Sequence, residues 1–86
     1  MDPSVGWSDG AERDLDEAAG YIAAGSETYA AAFLTEILAA TRLIEEMSEL
    51  GRVVPEFGRA DIRELMVGNY RVIYHATRGR VTILAL

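Results

Sequence analysis

The chain has 86 residues, of which 50% are hydrophobic and none is cysteine, and its formal net charge is −6 at pH 7. This composition predicts one small packed domain over residues 1–86 and excludes a disulfide framework or a thiolate metal site. No apolar run reaches the ~18 residues of a membrane span and no secretory signal is visible, so we expect a cytoplasmic protein. Residues 1–4 show no pattern and are expected to be disordered or left over from cloning.

The charges are distributed unevenly along the chain. Residues 1–50 hold eleven acidic residues and two arginines, whereas residues 51–86 hold three acidic residues and six arginines. All eight basic residues are arginine, the side chain best suited to bidentate pairing with a carboxylate or a phosphate. The N-terminal part is therefore predicted to form an acidic layer and the C-terminal part a mildly basic one.

Two helices are predicted in the acidic part. The first begins near Ser8 or Asp9, either of which can cap it, and it ends at Gly25. The second runs from about Glu27 to Ser48, with Ser26 as its cap. Because the break between them is short, the two helices are expected to form an antiparallel hairpin.

Each helix has a face of regularly spaced apolar residues. In the first helix these are Ala11, Leu15, Ala18, Ala19 and Ile22. In the second they are Ala30, Phe33, Ile37, Ala40, Ile44 and Met47, and a second set widens the stripe: Leu34, Leu38 and Leu43. The stripe is predicted to pack within the chain, with a dimer seam as the alternative, and its width leaves apolar surface for a partner.

The basic part is predicted to fold as three strands. They are Ile62–Val67, Tyr70–Thr77 and Val81–Leu86, joined by turns at Gly68-Asn69 and Arg78-Gly79-Arg80. Val5-Gly6-Trp7 is a candidate N-terminal edge strand. The predicted fold class is therefore α+β, with an N-terminal helical hairpin packed on a three- to four-stranded antiparallel sheet.

The two-residue turn at Gly68-Asn69 also predicts the register of the first hairpin. Counting outward from the turn, Arg63 lies opposite Tyr74, so these two side chains are expected to be neighbours on one face. Arg71 is expected on the other face, with Glu64 diagonal to it. A β-bulge would reverse this arrangement.

Four residues are candidates for a catalytic or binding site: Arg52, Arg63, Arg71 and Tyr74. The alternative is that each arginine pairs with an acid or lies on a solvated surface, and that Tyr74 is a half-buried sheet residue. His75 is the only histidine and is expected to be structural. No metal or cofactor motif is present, so no cofactor is expected.

Several short motifs, in order along residues 5–86, resemble the RelE/ParE family of bacterial toxins from type II toxin–antitoxin systems. They are Trp7-Ser8 with Ala11 and Asp14-Leu15, Tyr21-Ile22-Ala23, Gly51-Arg52-Val53-Val54-Pro55-Glu56, Ile62-Arg63-Glu64-Leu65, Gly68-Asn69-Tyr70-Arg71-Val72-Ile73-Tyr74 and Ile83-Leu84-Ala85. The resemblance implies a helical hairpin on an antiparallel sheet and a growth-inhibiting toxin that a cognate antitoxin neutralises.

The resemblance implies two alternative targets. RelE-like toxins cleave mRNA on the ribosome, using lysines on the first sheet strand and an arginine at the start of the second. Arg71 matches that arginine, but Ile62 and Glu64 stand where the lysines would be, and a carboxylate repels RNA phosphates. ParE-like toxins poison DNA gyrase and have no catalytic site of their own. Gyrase inhibition without enzymatic activity is thus the expected function, and the mRNA endoribonuclease is the alternative.

A third possibility is a truncated, non-toxic relative that still binds an antitoxin. The resemblance implies a short tail after Ile83-Leu84-Ala85, often with a histidine and an arginine, which this sequence does not contain. The expected partners are the antitoxin and either gyrase or the ribosome with its mRNA, and no membrane. The antitoxin is expected to fold on binding, with Phe57, Met66 and the outer face of the second helix as landing points. A homodimer or a toxin–antitoxin hetero-oligomer would be compatible with the sequence.

Overall fold

Two helices and five strands make up the chain in the computed structural model, which describes residues 4–86. Their bounds are β1 Ser4–Trp7, α1 Asp9–Gly25, α2 Glu27–Glu46, β2 Arg52–Val53, β3 Ile62–Val67, β4 Tyr70–Thr77 and β5 Arg80–Ala85. The α+β class with an N-terminal helical hairpin is confirmed. Ser4 begins β1, and residues 1–3 of the segment that we expected to be disordered or left over from cloning lie outside the described residues.

Serine side chains start both helices, as predicted. The Ser8 hydroxyl accepts a hydrogen bond from the Ala11 amide at 3.0 Å, and the Ser26 hydroxyl accepts one from the Tyr29 amide at 3.2 Å. Each bond satisfies an amide that has no partner within the first turn of its helix. Of the two caps considered for α1, the structure uses Ser8.

The second helix ends two residues before the predicted end. Met47 leaves the helical conformation, with φ −135° and ψ 80°, although its amide still donates to the Leu43 carbonyl at 2.8 Å. The carbonyl of the next residue, Ser48, accepts a hydrogen bond from the Tyr74 hydroxyl at 2.8 Å. The hydrogen bond from Tyr74 of the sheet takes the place of a further helical turn at Ser48. The spacing of apolar residues within α2 carries no information about this contact, so the predicted end was two residues too late.

The sheet has the order β1-β5-β4-β3-β2, one strand more than the four expected at most. The additional strand, β2, has two residues and pairs with β3. The candidate edge strand at Val5-Gly6-Trp7 is confirmed, but it runs parallel to β5, with Val5 opposite Val81. The other three strand pairs are antiparallel, so the sheet is mixed.

The register of the β3–β4 hairpin is as predicted. Arg63 lies opposite Tyr74, and Met66 lies opposite Arg71. In the turn between these strands, Gly68 has φ 59°, whereas Asn69 has a negative φ, so a single glycine supplies the left-handed conformation. A bulge does occur in β4, but on the side that pairs with β5, between Ile73 and Tyr74, and the β3 pairing is unaffected.

Both helices pack on one face of the sheet. Their contribution to the core includes Ala11, Ala18, Phe33, Ile37 and Ile44, and that of the strands includes Val72, Tyr74, Val81 and Ile83. The stripe of α2 from Ala30 to Ile44 is thus an intramolecular seam, as favoured by the sequence, whereas Met47 at its end is 50% exposed. Neither helix within residues 4–86 is long and apolar enough to cross a membrane.

Candidate functional site

The sheet face opposite the helices, which we call the open face, carries a network of ion pairs. Strand alternation places Glu64 and Arg71 on this face, because Val72 and Tyr74 point into the helical core. The short strand β2 places Arg52 directly opposite Glu64. The open face therefore brings together two of the four candidate residues, Arg52 and Arg71, on either side of one carboxylate.

Glu64 is buried although no helix covers it, and only 1% of its side chain is exposed. Its carboxylate accepts hydrogen bonds from Arg52 Nε and from Arg71 Nη1, the latter at 3.0 Å. The hydrogen bond from Arg52 and the positive charges of both arginines lower the pKa of Glu64, and they outweigh the opposing effect of burial. Glu64 is therefore a carboxylate at neutral pH.

A second carboxylate completes this network. Arg71 Nη1 also donates to Glu56 Oε2 at 3.1 Å, and this hydrogen bond raises the pKa of Arg71. Two guanidinium groups, those of Arg52 and Arg71, are thus matched by the carboxylates of Glu56 and Glu64. The positive charge expected from the arginine count is neutralised at this position.

The other two candidates lie on the helical side of the sheet. Arg63 donates to the Gly51 carbonyl at 2.9 Å and to the Ala60 carbonyl at 3.0 Å. The Tyr74 hydroxyl donates to the Ser48 carbonyl and accepts from the Gly51 amide, both at 2.8 Å. Arg63 and Tyr74 are neighbours, as predicted, and together they hold the loop between α2 and β2 against the sheet.

Tyr74 is fully buried, and burial raises the pKa of its phenol. Its hydroxyl already makes two hydrogen bonds within the protein. A group that moves protons in a reaction has to reach the substrate, directly or through one water. The position of Tyr74 thus favours a structural role.

Sequence reasoning missed a second ionic cluster on the open face, formed by Arg59, Asp61 and His75. Arg59 Nε and Nη2 donate to the two Asp61 oxygens at 3.0 and 2.6 Å, and the hydrogen bond from Arg59 lowers the pKa of Asp61. His75 Nε2 lies 2.9 Å from Asp61 Oδ2. Arg59 and Asp61 are two residues apart, a spacing that is compatible with an ion pair. The contact of His75 with Asp61 depends on the position of β4, which the sequence does not indicate.

The chemical capacity of the four candidates follows from these positions. Cleavage of RNA at a 2′-hydroxyl requires cations around the phosphate and a group that transfers protons. Arg52 and Arg71 are partly neutralised, and Arg63 and Tyr74 lie on the other side of the sheet. Among residues 4–86, no three His, Cys, Asp or Glu side chains are grouped so that they could hold a metal ion.

The family model described as the ParE toxin of type II toxin–antitoxin systems, parDE, matches residues 5–86. The chain belongs to the ParE toxin family. This match covers nearly the whole chain and confirms the family that the ordered motifs indicated.

A solved structure shows the same ParE-type fold. It is described as a chromosomal ParDE toxin–antitoxin system from P. aeruginosa, and it superposes with a TM-score of 0.73 at 17% sequence identity. The alignment covers 96% of this chain and 91% of the other. Among curated proteins, none matches this chain.

Proposed function

We propose that this member of the ParE toxin family inhibits growth by acting on DNA gyrase and that a cognate antitoxin neutralises it. Membership of a toxin family of type II toxin–antitoxin systems supports the toxin role and the existence of an antitoxin. The choice of gyrase over mRNA as the target depends on the ion pairs that Arg52 and Arg71 make on the open face.

The pairing of Glu64 with both Arg52 and Arg71 is the observation that carries this choice. A nuclease site on this face would have to accept a phosphodiester next to a buried carboxylate whose lowered pKa keeps it ionised. Like charges at such short distances repel, and burial weakens the screening by water. Inhibition by binding needs no proton transfer, so it is compatible with this arrangement.

Within this proposal, Arg52 is the residue that contacts the target. Its side chain is 75% exposed, and within residues 4–86 only its Nε has a hydrogen-bond partner. The two terminal nitrogens can therefore donate hydrogen bonds to uncharged acceptors of the target, such as backbone carbonyls, while Nε stays on Glu64. Arg71 is less exposed and holds two carboxylates, so it positions the network.

Two activities of the purified chain test the proposal side by side. In the first, gyrase, ATP and relaxed plasmid are incubated with the chain, and supercoiling and cleaved DNA are measured. In the second, a translation extract is programmed with a defined mRNA, and its integrity is measured by primer extension. We expect loss of supercoiling or accumulation of cleaved DNA, with intact mRNA. Cleaved mRNA with unaffected gyrase would overturn the choice of target, and no effect in either assay would reject both targets.

The contact residue is tested with a matched pair of variants. R52A removes the proposed contact, and R78A removes an exposed arginine in the β4–β5 turn, five residues beyond Ile73, which lies opposite Glu64. We expect R52A to weaken the effect on gyrase and R78A to leave it unchanged. An equal loss of the effect on gyrase in both variants would show that the target responds to the overall positive charge of the chain and not to a specific contact with Arg52.

A further inference from the structure

Two large apolar side chains are exposed in the C-terminal part of the chain, and both adjoin the ionic network of the open face. They are Phe57, which is 55% exposed, and Met66, which is 59% exposed. No other large hydrophobic residue among residues 51–86 reaches such an exposure. Single exposed apolar residues are common on proteins, whereas large apolar side chains beside a set of paired polar groups have the composition of an interaction surface. We call Phe57 and Met66 the anchor pair.

Each member of the anchor pair is next to a residue of the ionic network. Met66 lies directly opposite Arg71 in the β3–β4 pairing, and it is two residues from Glu64 on the same face of β3. Phe57 follows Glu56, whose carboxylate accepts a hydrogen bond from Arg71 at 3.1 Å. Arg71 thus connects the strand that carries Met66 with the loop that carries Phe57.

The loop that carries Phe57 is held in one conformation by contacts within the chain. The Val54 carbonyl accepts hydrogen bonds from the amides of Phe57 and Gly58, both at 3.1 Å. Gly58 has φ 61°, a left-handed conformation that favours glycine, and Val54 is fully buried. The ion pair between Glu56 and Arg71 ties the same loop to β4. Binding through Phe57 therefore requires little additional ordering of the backbone.

The charges beside the anchor pair disfavour a nucleic acid as the partner. The network holds two guanidinium groups and two carboxylates, so its formal charge is zero. Binding to duplex DNA requires cations that are free to replace the counterions of the phosphates. The net charge of −6 on the whole chain adds repulsion at longer range. A phosphate backbone is therefore not attracted to this surface.

The same arrangement suits a protein partner. In protein interfaces a few aromatic or other large apolar side chains fill pockets of the partner, and the polar groups around them exclude water. Phe57 and Met66 are side chains of this kind, and the flexible thioether of methionine adapts to the shape of a pocket. The terminal nitrogens of Arg52 are left to donate to backbone carbonyls, which are uncharged acceptors found on every protein surface.

We propose that the open face docks on the protein of gyrase and not on its DNA, and that the anchor pair fills apolar pockets of that protein. The identity of the target rests on the function proposed above. The choice of protein over DNA and the role of the anchor pair rest on the open face itself. The anchor pair supplies most of the binding energy, and the ionic network holds Arg52 for its contact with backbone carbonyls.

Binding to gyrase in the absence of DNA tests this proposal. The enzyme assembled from both subunits and a linear DNA duplex are each titrated with the full chain. Calorimetry gives the dissociation constants at low and at high salt. We expect the chain to bind the DNA-free enzyme with a dissociation constant that changes little with salt, and we expect no binding to the duplex alone.

Truncation of each side chain tests the anchor pair. F57A should raise the dissociation constant for the DNA-free enzyme by at least about tenfold, and M66A should raise it as well. Y29A is the matched control, because Tyr29 is also aromatic and is 73% exposed but belongs to α2. This variant should bind like the parent chain. Because all three side chains are exposed, each variant should unfold in urea close to the midpoint of the parent chain, which separates loss of binding from loss of the fold.

A photo-cross-linking side chain identifies the occupant directly. Phe57 is replaced by benzoylphenylalanine, and the variant is irradiated in the presence of the gyrase–DNA complex. The same replacement at Tyr29 is the control. We expect position 57 to cross-link to a gyrase polypeptide and not to DNA, and position 29 to give no cross-link.

Five results would overturn the proposal. They are binding that requires DNA and weakens steeply with salt, unchanged binding in F57A, equal losses of binding in F57A and Y29A, a cross-link from position 57 to DNA alone, and a dimer of the chain alone that F57A dissociates. The last result would identify a second copy of the chain as the occupant.

Failure of the proposed function gives a different result from failure of the anchor pair. If gyrase is not the target, the parent chain neither binds nor inhibits the enzyme, with or without DNA, and the target and this inference are rejected together. If only the anchor pair is wrong, the parent chain inhibits gyrase and F57A inhibits it equally well.

Discussion

The Tyr74 hydroxyl accepts a hydrogen bond from the Gly51 amide at 2.8 Å and thereby fixes the loop between α2 and β2 to the centre of the sheet. The same hydroxyl donates to the Ser48 carbonyl. One side chain of β4 thus determines where α2 ends and where β2 begins. Because β2 carries Arg52, this contact also positions the arginine that pairs with Glu64.

Replacing Tyr74 by phenylalanine tests this role. The variant keeps the ring in the core but leaves the Gly51 amide without its partner, so we expect the free energy of unfolding to fall by about 1–3 kcal/mol. Urea denaturation followed by circular dichroism measures the change. Y21F is the control, because Tyr21 is 81% exposed. An equal effect of the two variants would contradict the anchoring role of Tyr74.

Gly51 is required for reasons of space. A Cβ atom at this position would lie 2.5 Å from the Glu64 carbonyl oxygen and 2.7 Å from the Tyr74 hydroxyl. We expect G51A to destabilise the protein by about 1–3 kcal/mol, because the backbone of β3 has to move. G20A is the matched control within α1, where no atom beyond the neighbouring residues and the backbone of the helix lies within 4 Å of the new Cβ. There the substitution should stabilise the helix by about 0.5–1 kcal/mol, and the reverse order of the two variants would refute this explanation.

Stability is expected to decrease in acid because of Glu64. Arg52 and Arg71 lower the pKa of Glu64 in the folded state, so the carboxylate stabilises the fold at every pH above its ordinary value. That stabilisation is lost as the pH falls through the lowered pKa, because the unfolded chain then binds the proton more readily. Urea midpoints between about pH 7 and about pH 3 measure the loss.

The variant E64Q isolates the contribution of this carboxylate. It should lower the urea midpoint at neutral pH and flatten the acid part of the profile, because glutamine pairs more weakly with the two arginines and does not titrate. E36Q serves as the control, since Glu36 is an exposed residue of α2. A profile of E64Q parallel to that of the parent chain would assign the acid sensitivity to other groups, of which Asp61 is the first to test.

Two adjacent residues of α2 should respond differently to truncation. Ile37 is fully buried in the core, and I37A should lower the free energy of unfolding by about 2–5 kcal/mol through lost burial and a cavity. Leu38 is 53% exposed on the outer side of α2, and L38A should stay within about 0.5 kcal/mol of the parent chain. Thermal unfolding of both variants checks this, and a large loss in L38A would show that Leu38 serves the fold instead of a partner.

Most of the fold could be predicted because its signals are local. The caps at Ser8 and Ser26 depend on one amide each, within the first turn of a helix. The β3–β4 register depends on the two-residue turn at Gly68-Asn69, since side chains alternate with a period of two and a turn of known length leaves one pairing. The relation of Arg63 to Tyr74 followed from that count.

The sequence by itself therefore determined where the two helices begin, the register of the central hairpin and the faces on which Arg63, Arg71 and Tyr74 lie, and its ordered motifs indicated the family. Only the tertiary structure decided that Arg52 meets Glu64, that His75 meets Asp61 and that β1 runs parallel to β5. Each of these contacts joins segments separated by at least ten residues, and their approach depends on how the whole helical hairpin and the α2–β2 loop pack on the sheet. The spacing of apolar residues within one helix or strand describes that element alone, so it cannot predict how separate elements pack together.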